Sequence, residues 1–112
     1  MDACLLYVTT ASRDDALALA RTLVEEGLAA CGNVIDGMVS VYRWQGELRE
    51  DPEAVLILKT RPDLAETAIA RLRGLHGYDC PCILQLPVDG GNSDFLSWIA
   101  TETLGGRDGP TR

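Results

Sequence analysis

Two β-rich segments, residues 38–44 and 54–60, face each other across a single Gln45-Gly46 reversal. Val, Ile, Leu, Tyr and Trp dominate both, the residue types that pack on a pleated surface, and a Gly-containing pair between such runs signals a hairpin. The second segment holds Val55-Leu56-Ile57-Leu58, which is apolar on both faces. A strand with one wet face would alternate instead. A sheet built on this hairpin therefore needs cover on both sides. At 112 residues the chain forms one domain with too few helices to supply it, so the surplus apolar face reads as an assembly signal.

The remaining elements follow from local patterns. Residues 4–9 put Cys4, Leu6 and Val8 on one face and Leu5 and Tyr7 on the other. Ser12 can cap a helix with Asp14 and Asp15 in its first turn. Ala16, Leu17, Ala20, Leu23 and Val24 recur at helical spacing until Gly27 closes it. Asp51-Pro52 predicts a bulge or edge interruption where the second hairpin arm begins. Pro62 suits the start of another helix, whose stripe is Leu64, Ala65, Ala68, Ile69, Leu72 and Leu75. Gly77 and Pro81 make 76–81 a loop and 82–88 the fourth strand. Asn92 or Ser93 then caps a last helix carrying Phe95, Leu96, Trp98 and Ile99.

The order β-α-β-β-α-β plus a C-terminal helix is an α+β arrangement. Right-handed crossovers place both main helices on one face of an antiparallel sheet, the ferredoxin-like sandwich. One domain over residues 1–104 and a frayed, glycine-rich tail over 105–112 are expected. The net charge of −7 repels phosphate backbones and anionic membranes, so neither nucleic acid nor a membrane is expected as partner. No apolar run approaches a membrane span, and the N-terminus lacks a secretory plan. The expected location is the cytoplasm, where Cys4, Cys31, Cys80 and Cys82 would stay reduced.

The sharpest cluster of chemistry-bearing residues is His76-x₃-Cys80-Pro81-Cys82. Imidazole and thiolate suit copper(I) or zinc, and Cys31, Asp79 or a neighbouring subunit could complete the shell. The rival reading makes Cys82 a small buried hydrophobe and His76 a cap on a helix C-terminus. A Cys80–Cys82 disulfide is disfavoured by the spread of alternate α-carbons in extended chain. Cys31 lies among small residues, where close packing is the default, and Cys4 belongs to the core. Lys59 ends an apolar strand. It either pairs with Glu47, Glu50, Asp51 or Glu53, or faces an inter-subunit cleft lined by Trp44 and Tyr42. Catalysis finds little support: His76 has no serine elbow and no metalloprotease partner, Gly90-Gly91 is a weak phosphate cradle, and nothing places Cys31 or Cys82 beside His76 as a nucleophile.

Taken together, the blocks resemble the CutA family of divalent-cation tolerance proteins. They are Leu28-Ala29-Ala30-Cys31-x-Asn33-Val34-Ile35, Tyr42-Arg43-Trp44-Gln45-Gly46-Glu47-Leu48, Glu50-Asp51-x-Glu53 and Leu56-Ile57-Leu58-Lys59-Thr60. His76-x-Tyr78-x-x-Pro81 and Gly91-Asn92-x-x-Phe95-Leu96-x-Trp98-Ile99 follow in the family's order. The resemblance implies a ferredoxin-like homotrimer with sheets inward, a cytoplasmic home and a link to copper and other divalent metals. By position, Cys31 and His76 match family residues associated with metal binding. Gly77 stands where the family usually has proline, and Cys82 where it usually has glutamate, which makes a site there softer.

The expectation is a trimeric divalent-cation tolerance protein that binds copper or another divalent ion without turnover and without an obligatory cofactor. Its metal residues would be His76, Cys82, Cys31 and Cys80. The alternative is a signalling trimer resembling the PII proteins. A small anionic ligand would then sit in inter-subunit clefts formed by Lys59, Arg43, Trp44, Tyr42 and Glu50. A phosphatase on the same fold ranks last, because Tyr7-Val8-Thr9-Thr10-Ala11-Ser12 offers hydroxyls and no arginine.

Overall fold

The computed structural model describes residues 2–105. Its elements are β1 (Ala3–Thr10), α1 (Arg13–Glu25), β2 (Cys31–Trp44), β3 (Glu47–Thr60), a 3-10 turn (Pro62–Leu64), α2 (Ala65–Leu75), β4 (Ile83–Val88) and α3 (Ser93–Thr101). The strands form one antiparallel sheet in the order β2-β3-β1-β4. The α+β, ferredoxin-like expectation holds. Of the expected tail, residues 106–112 lie outside the described residues.

Local chemistry explains where the helices start and stop. The Ser12 hydroxyl accepts the Asp15 N–H at 3.1 Å and so caps α1. At the other end Gly27 has φ +74 and donates to Val24 O, while Leu28 N–H reaches Leu23 O at 2.9 Å. This pair of bonds is a Schellman closure, which needs a left-handed residue at that position. Asn92 caps α3 through the Asp94 N–H.

The strand pleat divides the sheet into two surfaces. Cys4, Leu6, Val8, Leu56 and Leu58 face α1 and α2 and form the main core with Ala16, Leu23, Ala68 and Leu72. Leu5, Tyr7, Ile57 and Lys59 point the other way. There α3 covers only one end, where Ile99 packs with Ala3 and Ala30. Leu84, Leu86 and Ile35 remain exposed. The prediction that one chain cannot cover both faces is thus met, with α3 as partial cover.

Both hairpin strands are far longer than the apolar pattern suggested. Pairing runs from Cys31–Lys59 out to Trp44–Glu47, whereas β1 stops at Thr10 opposite Ala54. Residues 38–53 therefore form a two-stranded arm with no third strand beside it, and the molecule extends to 49 × 25 × 22 Å. Charged residues at 47–53 hid this half of β3, because turn and backbone pairing, rather than side-chain burial, keep it extended. Gln45 (φ 50) and Gly46 (φ 83) make the paired positive-φ turn whose twist matches the strands.

Of the bulge or edge interruption expected at Asp51-Pro52, the bulge lies elsewhere, and Pro52 sits where β3 has become an edge. The register shifts between Ile35 and Met38, where β2 carries one extra residue at Asp36-Gly37. Gly37 has φ +82, and its N–H bonds the Asp36 carboxylate at 2.8 Å. Pro52 needs no bulge. A two-residue turn makes Trp44–Glu47 a hydrogen-bonded pair, and alternation then makes Val39–Pro52 a non-hydrogen-bonded one. The missing N–H of Pro52 points to the side that β1 has already left.

Candidate functional site

His76 sits at the C-cap of α2, with its N–H donated to Leu72 O at 2.8 Å. Its ring turns back onto the sheet. Nδ1 accepts the Tyr78 N–H at 3.0 Å, so the proton lies on Nε2, which donates to Thr9 O at 2.7 Å. The rings of His76 and Tyr78 stand 4.8 Å apart. With Nδ1 accepting and Nε2 protonated, neither ring nitrogen is free to coordinate an ion. The backbone of His76 caps the helix, while its imidazole does something neither sequence reading foresaw and ties the following turn to β1.

The proposed ligands are also scattered. Cys31 pairs with Lys59 on the edge strand β2. Cys82 adjoins Thr9, whose N–H bonds Cys82 O at 3.3 Å, at the opposite edge beside β4. Three strand spacings, about 14 Å, and four residues of rise, about 13 Å, separate Cys31 from Cys82. Cys80 is exposed, Cys31 and Cys82 are half-buried, and burial pushes the Cys4 thiol up. Among the described residues no three His, Cys, Asp or Glu side chains converge to hold a metal. A single chain therefore does not fit an ion with His76, Cys31, Cys80 and Cys82 as one shell.

The cleft residues divide likewise. Tyr42 donates to Asp51 at 2.5 Å, Arg49 lies 3.8 Å from the same carboxylate, and Arg43 reaches Gly46 O at 3.4 Å. Glu50 pairs with Val41, and Trp44 flanks the turn. All belong to the arm. Lys59 lies roughly 30–40 Å from them along the hairpin, where its ammonium sits 5.5 Å from the centroid of the Phe95 ring. The expected ion pairing of Lys59 with Glu47, Glu50, Asp51 or Glu53 is corrected by this geometry, because those carboxylates lie between the root and the tip of the arm, roughly 20 Å or more along the same strand.

One contact was missed from sequence. Tyr78 donates to Glu53 at 2.8 Å, tying the turn after α2 to the root of the arm. Its phenol is pushed up to about 12, by burial first and then by Glu53. The signal available was Tyr78 itself, an aromatic inside a glycine-proline loop, which rarely stays without a partner. A groove of 360 Å³ opens behind this turn, lined by Thr10, Asp15, Leu19, Thr22, His76 and Tyr78.

Comparison with known proteins gives the lineage. A family profile described as CutA1 divalent ion tolerance protein matches residues 4–102. The divalent-cation tolerance protein CutA of Thermus thermophilus is 41% identical over 98 residues, 88% of this chain and 95% of that protein. The chloroplastic protein CutA of Arabidopsis thaliana is 40% identical over 88% of this chain, which spans only 54% of the plant protein. The crystal structure of CutA1 from Oryza sativa superposes with a TM-score of 0.89 at 36% identity, covering 92% of this chain and 94% of that one. No helix among the described residues is long and apolar enough to cross a membrane. A sequence match across nearly the whole domain and the same backbone architecture place this chain in the CutA1 divalent ion tolerance family.

Proposed function

We propose that the chain acts in divalent-cation tolerance as a cytoplasmic homotrimer that binds ions without turnover. The observation that carries the assembly is the arm. A two-stranded ribbon is marginal in water, yet Val39 (64%), Val41 (61%) and Leu48 (67%) stand exposed on it. Leu84 and Leu86 are exposed on the sheet nearby. The sheet also ends in two different free edges, β2 and β4. An edge of one kind meeting an edge of the other is a heterologous contact, which either closes into a ring or grows without limit. Pro87 limits how much of β4 can pair with any neighbouring strand. The Thr9–Cys82 bond makes Cys4–Pro87 a non-hydrogen-bonded pair, so the outer edge of β4 lacks a donor at Pro87. A closed ring of three buries the arm of each subunit on its neighbour. It carries Tyr42, Arg43, Trp44 and Glu50 toward the next subunit, supplying from a second copy the cleft that one chain holds open.

Copper or a similar ion is then held by accessible thiols. Cys80 and Cys82, on either side of Pro81, are the soft donors nearest each other in sequence, and a second subunit or water completes the shell. Sedimentation velocity over a hundredfold dilution tests the assembly: one species at three times the chain mass is expected, and a folded monomer at micromolar concentration refutes it. Copper(I) titration of the reduced protein tests the ligands. Stoichiometric binding that survives the Cys80→Ser, Cys82→Ser double substitution removes them.

A further inference from the structure

The turn after α2 is held at three points. Nε2–H of His76 donates to Thr9 O on β1, Nδ1 accepts the Tyr78 N–H, and the Tyr78 phenol donates to Glu53 at the root of the arm. Glu53 is the residue where β3 leaves the sheet, one position beyond the last β1 pairing at Ala54 and opposite Met38 just past the bulge. On the same surface the Tyr7 hydroxyl lies 4.0 Å from the Met38 sulfur. Without a third strand, the arm's angle to the sheet depends on such contacts. An ion taking the Nδ1 lone pair would evict the Tyr78 N–H, and one taking Nε2 would displace its proton and release Thr9.

We infer that His76 is a positioning residue and not a metal ligand: its neutral, Nε2-protonated imidazole pins the turn to β1 and, through Tyr78, sets the clamp on Glu53 that aims the hairpin arm. The inference rests on bonds within one chain, so it stands or falls separately from the trimer and from the thiol site.

Long-range ¹H–¹⁵N correlation of the labelled, reduced full chain near neutral pH reads the tautomer directly. The expected result is a protonated Nε2 and an unprotonated Nδ1, both unmoved by stoichiometric zinc. A proton on Nδ1, or ring nitrogens that shift as zinc is added, overturns the inference. In His76→Gln the side-chain amide N–H can replace Nε2–H toward Thr9, while its Oε1 does not occupy the Nδ1 position that accepts from Tyr78. Hydrogen exchange at the Tyr78 amide should then accelerate about tenfold, as loss of one hydrogen bond implies, while zinc stoichiometry stays that of the parent. A folded H76Q that loses a bound ion, or protects Tyr78 as before, also overturns it. The spectra of the unsubstituted chain decide the case where H76Q does not fold.

Discussion

Tyr78 joins a backbone position, a carboxylate and an ionisable phenol in one side chain. Its phenol is pushed up from an ordinary 10.0 to about 12, first by burial, then by its hydrogen bond to Glu53 and by that carboxylate's repulsion of the phenolate. Between those values the folded chain keeps a proton that the unfolded chain gives up. The stability this supplies is whole below pH 10 and is lost as the pH rises through 12. Denaturation followed across that range should show a downward slope in the parent and a shallower one in Tyr78→Phe. Equal slopes would mean that the clamp on Glu53 does not couple to folding. Tyr42 is raised in the same direction, first by its hydrogen bond to Asp51, and provides an internal comparison on the open arm.

Among the elements, the long hairpin has two registers to reconcile. Its outer half takes its register from the Gln45-Gly46 turn and its inner half from the packing of Leu56 and Leu58 under the helices. The extra residue at Asp36-Gly37 absorbs the mismatch. Because strand side chains alternate, a one-residue slip sends every residue to the opposite face. Deleting Gly37 should force Met38, Tyr42 and Trp44 off their present surface or break the turn. The expected outcome is near-native helical circular dichroism with loss of the oligomer in sedimentation. An assembly that survives the deletion would show that the arm's facing does not matter to it.

For the whole molecule the open sheet surface governs behaviour. Leu84 and Leu86 alternate outward on β4 beside Tyr7 and Leu5 of β1. Burying a leucine of this kind contributes about 1.5–3 kcal/mol. A Leu84→Glu, Leu86→Glu chain places two carboxylates where the neighbouring subunit of the proposed trimer should lie, and it is expected to sediment as a monomer. Its melting temperature should be lower than the parent's and insensitive to concentration, since assembly stabilises by mass action. If this variant assembles as before, some other surface joins the subunits.

The amino-acid pattern by itself determined the element order, the cap at Ser12, a cap at Asn92 or Ser93, the close at Gly27, the turn at Gln45-Gly46 and the surplus apolar face. Each depends on neighbours within a few residues, or on an alternation visible along one strand. The resemblance in Tyr42-Arg43-Trp44-Gln45-Gly46 and its companion blocks pointed to the right family. Only the tertiary structure decided that the bulge falls at Asp36-Gly37 rather than at Pro52, for this depends on which side of β3 has lost its partner. Only it decided that His76 is consumed by Thr9 and Tyr78, that Cys31 and Cys82 occupy opposite edges of the sheet, and that Lys59 lies far from the arm. Partners distant in sequence are set by strand order, and four strands of similar composition do not declare which of them are neighbours.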